Sequence, residues 1–340
     1  MAINNGNLKL NWRVDWPAKW AIFHTTCEPA GKDHSVKGGS YDTGLEISRE
    51  VFDYDGPIKL NYEWFRLGDQ DMKTSKGIVF TPKKYLEIAD PEILRMLILK
   101  TNPNSHISFR IEELYQLYDS YEKMESIYFN LEEASSKEEE RFYKYIYPLC
   151  QIEPVLEKKP PKLSFKLITE LAQYQKILKI EEIYDIANLS LKDQGYDEKI
   201  PLDKFKIQLK RAENWIKEIK IFLDEQASED IRKDILSKIE IFEIPDKISQ
   251  EIIESLNETQ KEGINFLREF LESKRDFTDE QIQEKIYDIS KNQLNLSRKK
   301  LYLMFQAIYL LILGKKSGPR LGPFLNKIDR DWIINRLKIE

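Results

Sequence analysis

The segment GKDHSVKGGSYD, residues 31–42, decides the character of the first part of this chain. Its glycines allow the backbone to approach a ligand closely, which favours a binding site over a plain connection. Asp33 follows a glycine at an expected strand end and can accept hydrogen bonds from ribose hydroxyls, while His34 can bind a ligand or carry a proton. A glycine-rich turn with a capping aspartate is the structural alternative.

The sequence around this segment separates into two patterns. The first 85 residues hold eight of the thirteen glycines and four of the six tryptophans. Short apolar runs at 20–23 and 77–80 alternate there with glycine-rich loops, which predicts short strands joined by functional loops. From about Pro82 onward, apolar residues recur at helical spacing. The predicted fold class is therefore a partial α/β domain followed by an all-α domain.

Helices dominate the second pattern. Pro91 behind Asp90 is typical of a helix start. Paired prolines at 160–161 remove backbone donors and force extended backbone, so we place a boundary there. The acidic stretch 132–140 is predicted to be a solvated helix face or a loop, and Asp329 is expected to cap a last short helix. The other helices are predicted at 111–129, 165–175, 180–192, 201–227, 249–273, 278–293 and 298–313.

Composition and charge narrow the class of protein. With a net charge of −5, the chain differs from a strongly basic nucleic-acid binder, although local basic clusters can still contact RNA. Cys27 and Cys150 form no CxxC pair, which argues against a disulfide scaffold and a cysteine zinc site and favours a reducing cytoplasm. The N-terminus lacks a signal pattern, and the apolar run 307–313 is too short to cross a bilayer. We expect a cytoplasmic protein with no membrane partner and no metal-ligand set of its own.

The strongest local signal for chemistry is DMKTSKG, residues 71–77. A hydroxyl-rich loop with two lysines can wrap phosphates and place an ammonium on a phosphate under attack. A solvent-exposed turn is the alternative for such a loop.

Two aromatic runs carry a further signal. WRVDWPAKW, residues 12–20, has three tryptophans in nine residues, and NYEWF, residues 61–65, is a strand-like run with one acidic residue. An aromatic face beside a carboxylate such as Asp15 suits a cationic ligand, through cation–π attraction and ion pairing. A structural aromatic cluster and a plain sheet strand are the alternatives.

The order of these motifs resembles that of the class I, archaeal-type lysyl-tRNA synthetases. The common order is a tryptophan-rich strand, GKDH with GGSYD, then YEWF, then a Met-x-x-Ser-Lys-Gly loop. The likeness continues in segment 85–100 and in GPRLGPF, residues 318–324, followed by Asp329 and Arg330. It covers nearly the whole chain and corresponds to the C-terminal portion of such an enzyme, without the N-terminal half that contains the HIGH motif.

The resemblance implies a division into three parts. Residues 1–85 would form the C-terminal half of a class I catalytic domain of Rossmann type, with its KMSKS-like loop. Residues 86–163 would form a helical stem-contact region, and residues 164–340 an all-α anticodon-binding cage.

The resemblance also implies an activity. In this family L-lysine is activated with ATP and Mg²⁺ to lysyl-adenylate and transferred to tRNA(Lys), by positioning and electrostatic stabilisation without a protein nucleophile. The motifs assign the catalytic roles to Lys76, Ser75 and Lys73. They assign lysine binding to Trp12, His34 and Tyr62, with Asp15 as a weaker candidate, and ATP binding to Gly31, Asp33, Met72, Thr74 and Lys76.

Two departures from the family pattern affect the expected activity. Asp71 stands where the signature loop has its first lysine, which suggests weaker loop closure unless Lys73 compensates. The HIGH-like motif is missing, since no two of the three histidines are three residues apart. We therefore expect this chain alone not to make lysyl-adenylate. It is then either a truncated product or a chain completed in trans by a separate N-terminal half carrying the HIGH-like motif.

For the tRNA partner, Arg320 and Trp332 are the candidate anticodon contacts, because RNA sequence is read by stacking and base-edge contacts. Basic clusters can meet phosphates, with a solvated surface as the alternative; they are Lys158/Lys159/Lys162/Lys166, Lys206/Lys210/Arg211 and Lys315/Lys316/Arg320.

Three functions follow as hypotheses. The chain is the catalytic C-terminal half of a lysine–tRNA ligase, a truncated paralogue that acts only as a tRNA-binding module, or a glutamyl- or glutaminyl-type synthetase. The third is disfavoured, because an acidic substrate suits a basic pocket, whereas Trp12, Asp15 and Tyr62 suit a cation.

Overall fold

The computed structural model describes residues 9–72 and 80–339, in which helices predominate. The strands are β1 (Cys27–Gly31), β2 (Ile58–Tyr62), β3 (Phe65–Leu67), β4 (Gln70–Asp71) and β5 (Ile107–Phe109). The helices are α1 (Trp12–Phe23), α2 (Lys32–Ser35), α3 (Ser40–Phe52), α4 (Pro82–Leu86), α5 (Pro91–Lys100), α6 (Leu114–Tyr128), α7 (Lys137–Cys150), α8 (Phe165–Gln173), α9 (Ile180–Asp193), α10 (Leu202–Glu225), α11 (Glu229–Lys238), α12 (Gln250–Ser255), α13 (Glu258–Ser273), α14 (Asp279–Asp288), α15 (Tyr302–Leu313), α16 (Leu321–Lys327) and α17 (Arg330–Arg336).

Residues 12–62, which we call the α/β unit, contain a β-α-β arrangement. β1 and β2 pair in parallel, with Cys27 opposite Ile58 at one end and Gly31 opposite Tyr62 at the other. Parallel strands need a crossover connection, and here α2 and α3 provide it. Both strands therefore end at the same edge of the pair, where the residues that follow them come together.

The strand predicted at 20–23, and with it the tryptophan-rich strand, is wrong, because these residues belong to α1. Asn11 caps this helix through its side chain. Trp16 and Trp20 are four residues apart, so both indoles lie on one side of the helix, against the ring of Tyr41 on α3. A four-residue apolar run cannot by itself distinguish a helix from a strand.

The core of the α/β unit is small. Its fully buried members are Trp20, Ala30 and Tyr41. Gly44 permits the close approach of α1 and α3, because a β-carbon at this position would lie 3.0 Å from the Trp20 indole. The strand pair is covered on one face only, and Ile58 on β2 is 74% exposed.

The strand-like run 61–65 is divided between two sheets. β2 ends at Tyr62, and Phe65 begins β3, which pairs in parallel with β5 and antiparallel with β4. Between them, the backbone N–H of Glu63 donates to the carbonyl of Pro103 at 2.9 Å. The chain thus passes from the α/β unit into the second sheet through a short connection that is bonded to the segment before β5.

Residues 82–339, which we call the helical region, share one continuous core. Its buried residues extend from Tyr85 to Leu337. The predicted helices are confirmed in place, with two interruptions. The prediction at 249–273 is divided into α12 and α13 because Asn257 caps α13 in a capping box, and a π-helical turn at Ile289–Gln293 follows α14. No helix within the described ranges has both the length and the apolar content to cross a bilayer.

Several helices were not predicted, namely α2, α3, α11, α16 and most of α7. Two of them begin at serine caps, since Ser136 and Ser228 accept hydrogen bonds from backbone N–H groups of α7 and α11. A search for long apolar stripes misses such starts. Of the acidic stretch 132–140, the part from Lys137 onward is the solvated helix face.

Contacts to α10 connect it to the first part of the helical region. Arg211 forms an ion pair with Asp90, the N-cap of α5, and donates to the carbonyl of Leu86 at 3.1 Å. The indole of Trp215 donates to the carbonyl of Ile111 at 3.0 Å. The paired prolines at 160–161 lie in the non-helical segment between α7 and α8, as predicted.

Candidate functional site

The carboxyl ends of β1 and β2 form the edge at which four predicted site residues meet. Gly31 lies opposite Tyr62, and α2 places Asp33 and His34 directly after Gly31. A cleft of about 220 Å³ opens at this edge. In open parallel sheets, ligands bind in the crevice outside the carboxyl ends of the strands. The residues lining the cleft are Gly31, Lys32, Asp33, His34, Tyr62, Glu63, Trp64 and Phe65.

The glycine pair at 38–39 shapes the backbone beside the cleft. Gly38 has a φ of +72°, in the left-handed region that favours glycine. A β-carbon on Gly39 would lie 2.8 Å from the carbonyl oxygens of His34 and Val36. The start of α3 can therefore approach the turn of His34 only because position 39 has no side chain.

Hydrogen bonds hold this turn in place. Nδ1 of His34 lies 2.9 Å from Oγ of Ser40. Asp42 accepts from Lys59 Nζ and from the backbone N–H of Gly38, both at 2.9 Å, and these bonds, that of Lys59 foremost, hold the pKa of Asp42 below its usual range. Within the described ranges, the exposed carboxylate of Asp33 makes no hydrogen bond or ion pair of its own. This carboxylate is thus available to a ligand.

An aromatic wall lies beside His34. The ring of Trp12 is 5.7 Å from the His34 ring, and the ring of Trp16 is 5.9 Å from it, both in edge arrangements. Trp12 is 47% exposed and Tyr62 is 49% exposed, so large aromatic surfaces face solvent at this site. Exposed aromatic faces of this kind can bind a cation. We call Trp12, Trp16 and His34 the aromatic wall.

Glu63 is a cleft residue that sequence reasoning missed. Its carboxylate lies 2.8 Å from Lys32 Nζ and 3.4 Å from Nδ1 of His106. The hydrogen bond from Lys32 is the main cause of its lowered pKa, and His106 adds to the effect. An acidic residue inside an aromatic strand run was the only signal for Glu63, and the contribution of His106 depends on a contact between distant parts of the chain.

Neither Trp12 nor Asp15 is among the residues lining the cleft, although Trp12 lies against the lining residue His34. For Asp15 the structure shows another partner. Its carboxylate pairs with Lys19 at 2.7 Å, one helical turn along α1, and both side chains are largely exposed. The structure thus gives Asp15 the role of a surface ion pair, and a contact with a substrate ammonium would require this pair to open.

The signature loop lies mostly outside the described residues. Lys73, Thr74, Ser75 and Lys76 belong to the gap between 72 and 80, as does most of the apolar run predicted at 77–80. Met72 is described and half-buried, with its Sδ 3.5 Å from the backbone nitrogen of Phe80.

The candidate anticodon contacts differ in exposure. Arg320 is exposed at the start of α16, whereas Trp332 is partly buried against the core and lies 5.3 Å from the Arg336 guanidinium. Lys315 fits neither the phosphate-contact nor the solvated-surface interpretation of its cluster, because its ammonium is buried between Glu170 and Glu240. A phosphate contact requires a cation that faces solvent. In the cluster Lys315/Lys316/Arg320, only Lys316 and Arg320 are exposed.

Two more predicted phosphate contacts are engaged within the protein. Arg211 is paired with Asp90, and Lys159 bonds Ser126 and lies 3.7 Å from Glu125. The internal ion pairs neutralise these cations.

Comparison with known families defines the class of protein. Residues 1–152 match the family model described as tRNA synthetases class I (K), and residues 210–339 match the model described as anticodon binding domain. The parallel-strand cleft lies within the first match, and α11 to α17 lie within the second. The chain therefore combines a class I synthetase domain with an anticodon-binding domain.

Curated relatives refine this assignment. A lysine–tRNA ligase of Methanocaldococcus jannaschii is 36% identical over 98% of this chain and 60% of its own length. Relatives with the same name from Methanococcus maripaludis and Pyrococcus furiosus are 34% and 33% identical, over 98% and 99% of this chain and 61% and 60% of their own lengths. The chain is thus similar over nearly its whole length to the class I, archaeal-type lysine–tRNA ligases, and it spans about 60% of the length of these curated relatives.

Proposed function

We propose that this chain is the C-terminal part of a lysine–tRNA ligase, which activates L-lysine with ATP and transfers it to tRNA(Lys). The observation that carries the proposal is the common cleft of Gly31, Asp33, His34 and Tyr62, with the exposed ring of Trp12 against His34. Glycine, a carboxylate without a bonded partner in the described ranges and exposed aromatic faces are together suited to a nucleotide and a cationic amino acid.

We assign roles in this cleft by chemistry. Trp12, His34 and Tyr62 would bind the lysine substrate, while Gly31 and Asp33 would contact the adenosine ribose. Asp15 stays the weaker candidate for the substrate ammonium, since it is paired with Lys19.

The loop residues complete the proposed ATP site. Met72 and Thr74 would contact ATP. Lys73 and Lys76 would neutralise charge on the α-phosphate as lysine's carboxylate displaces pyrophosphate, and the Ser75 hydroxyl would donate a hydrogen bond there. Asp71 in place of the first loop lysine would weaken loop closure unless Lys73 compensates. These roles rest on the motif, because residues 73–79 lie outside the described structure.

Mg²⁺ would accompany ATP in this scheme. Within the described ranges there is no group of three or more His, Cys, Asp or Glu side chains that could hold a metal ion. We propose that Mg²⁺ enters the cleft bound to the triphosphate, because Mg²⁺ is commonly held by substrate phosphates, and that the protein contributes lysine ammonium groups.

For the architecture, we propose the division given by the motifs. Residues 1–85 would be the second half of a Rossmann-type catalytic domain, 86–163 a stem-contact region, and 164–340 a helical anticodon-binding cage with Arg320 and Trp332 at the RNA. The parallel β1–β2 pair with its helical crossover supports the first assignment. The two unpaired cysteines are compatible with a cytoplasmic location.

The uncovered face of the β1–β2 pair supports a further partner, an N-terminal half carrying the HIGH-like motif. Ile58, Leu60 and Tyr62 alternate along β2 and are 74%, 48% and 49% exposed. Parallel sheets are normally covered on both faces, so an apolar face of this kind suits a packing partner.

Binding of L-lysine to the chain is the first test. Tryptophan fluorescence should report saturable binding, and Trp12→Ala should weaken it by roughly tenfold through loss of an aromatic cation contact. Ile22→Ala, on the same helix and 69% exposed, is the matched control and should bind like the parent. Equal lysine affinity of parent and Trp12→Ala would remove Trp12 from the pocket.

Pyrophosphate exchange and tRNA binding form the second test. The chain alone should show no lysine-dependent ATP–pyrophosphate exchange, and addition of the N-terminal half of the Methanocaldococcus jannaschii relative should restore it. The chain should bind tRNA(Lys), Arg320→Ala should weaken binding, and Lys233→Ala, 71% exposed on α11, should not. Tight tRNA(Lys) binding with no exchange under either condition would favour the tRNA-binding module instead.

A further inference from the structure

A half-buried carboxylate lies behind the aromatic wall. Glu28 on β1 accepts a hydrogen bond from the indole N–H of Trp16 at 2.8 Å through Oε1, and from that of Trp20 at 2.7 Å through Oε2. One carboxylate thus accepts hydrogen bonds from two indoles that lie one helical turn apart on α1. An indole has a single N–H donor, so each ring is fixed in orientation by its bond to Glu28.

Glu28 has no ion-pair partner within the described ranges, although Lys59 lies opposite it across the strand pair. No lysine, arginine or histidine there forms an ion pair with it, and the nearby Lys59 pairs with Asp42. Tyr41 packs on both indoles, and burial together with the charge of Glu28 raises the pKa of its phenol to about 12. The phenol therefore stays neutral at neutral pH.

The indole of Trp16 connects this charge to the cleft. Its ring is 6.2 Å from Trp12 and 5.9 Å from His34, which lines the cleft. An indole that donates its N–H to a carboxylate is polarised, with more electron density on the ring, and hydrogen-bonded groups of this kind strengthen one another in a low dielectric. Greater electron density on the ring increases its attraction for a cation.

We propose that Glu28 is a positioning residue that orients the aromatic wall through Trp16 and Trp20 and gives the cleft a preference for ammonium ligands. This rests on the proposed function, since the ligand it favours is the lysine substrate. Glu28 itself need not touch the substrate. A neutral amino acid of the same shape would gain nothing from it, which makes Glu28 a determinant of selectivity.

Glu28→Gln in the full chain tests the proposal. The variant removes the charge, and its amide nitrogen opposes one of the two indole N–H groups, so one bond is lost. L-lysine should bind roughly tenfold more weakly than to the parent, with norleucine affected little. Glu50→Gln, an exposed acid on α3, is the matched control for loss of one negative charge and should bind like the parent.

A second measurement is independent of lysine binding. A negative environment concentrates caesium ions but not neutral acrylamide. The ratio of caesium to acrylamide quenching, which we call the caesium preference, should therefore be higher in the parent and in Glu50→Gln than in Glu28→Gln. If the parent fails to bind lysine, the proposed function fails, while the caesium comparison still decides the role of Glu28.

Glu28→Asp keeps the test decisive if Glu28→Gln does not fold. Near-UV circular dichroism reports folding of each variant. A folded Glu28→Asp retains the charge on a shorter side chain, so the caesium preference should survive while tryptophan emission shifts. Unchanged caesium preference in a folded Glu28→Gln, or its loss in a folded Glu28→Asp, would overturn the proposal.

Discussion

The α/β unit and the helical region use large aromatic side chains in opposite ways. In the α/β unit, only three residues form the buried core, while Trp12 and Tyr62 stay about half exposed beside the cleft. In the helical region, Trp215 and Phe324 are fully buried in one continuous core. Aromatic surface left exposed next to convergent polar groups points to ligand binding, whereas buried aromatic surface stabilises the fold.

The contrast predicts different consequences for two equivalent substitutions. Trp215→Ala should destabilise the chain by about 3–5 kcal/mol, because it removes a fully buried indole and leaves a cavity. Trp12→Ala should cost less than about 1 kcal/mol, since 47% of this residue is already exposed. Urea unfolding followed by circular dichroism measures both values.

A conservative variant separates packing from hydrogen bonding at Trp215. The indole N–H donates to the carbonyl of Ile111, and the ring packs edge-on against Phe165 at 5.0 Å. Trp215→Phe keeps most of the ring and should recover more than half of the lost stability. If Trp12→Ala proved as damaging as Trp215→Ala, the α/β unit would depend on its exposed aromatics for folding, and the contrast would fail.

An ion pair at the start of α5 gives the next largest expected effect. Arg211 and Asp90 are 21% and 15% exposed, and the carboxylate also accepts from Tyr118. Arg211→Ala should cost about 3 kcal/mol, because it leaves a poorly hydrated carboxylate without its cation. Thermal unfolding at neutral pH measures the loss.

Removal of the second charge should recover part of this stability. The double variant Arg211→Ala with Asp90→Asn should be more stable than Arg211→Ala alone, since no unpaired charge is left. Lys210→Ala, a neighbouring exposed cation paired with Glu213, is the matched control and should change stability little. A large loss for Lys210→Ala would mean that general charge balance on α10 matters more than this pair.

The sequence predicted which residues meet at the cleft more accurately than it predicted the secondary structure around them. Gly31, Asp33, His34 and Tyr62 were expected to share a site, and they do lie together because parallel strands end at one edge. The prediction did not require knowledge of packing. Prediction of the secondary structure of residues 20–23 did require knowledge of packing, because the choice of helix over strand depends on how Trp20 packs on α3.

Contacts between residues far apart in the chain could not be predicted from the sequence. The approach of His106 to Glu63 depends on the passage of the chain into the second sheet, and the double acceptance by Glu28 depends on α1 being a helix. The engagement of Lys315 with Glu170 likewise follows from packing of segments far apart in the chain. A charge pattern in sequence reports which cations exist, whereas only the fold decides which remain exposed.

The smallest effect is expected at the start of α7, where a surface carboxylate acts structurally. Glu139 accepts from Lys123 at 2.8 Å and from the hydroxyl and backbone N–H of Ser135, and these bonds, that of Lys123 foremost, lower its pKa from 4.5 to about 2. Because the folded-state pKa is depressed, the stabilisation is complete above pH 4.5 and is lost as the pH falls toward 2.

Glu139→Gln should therefore be slightly less stable than the parent at neutral pH, and the difference should shrink through this acidic window. Glu138→Gln, on the same exposed turn but without a hydrogen-bonded partner in the described structure, should match the parent at every pH. Urea midpoints between pH 2 and 7 measure the three curves. A stability gap that persists unchanged at pH 2 would mean that Glu139→Gln acts through side-chain shape and helix capping. The charge of Glu139 would then not contribute to stability. A gap that closes would assign this carboxylate to folding, in contrast to the cleft carboxylate of Asp33, which has no bonded partner among the residues that the structure describes.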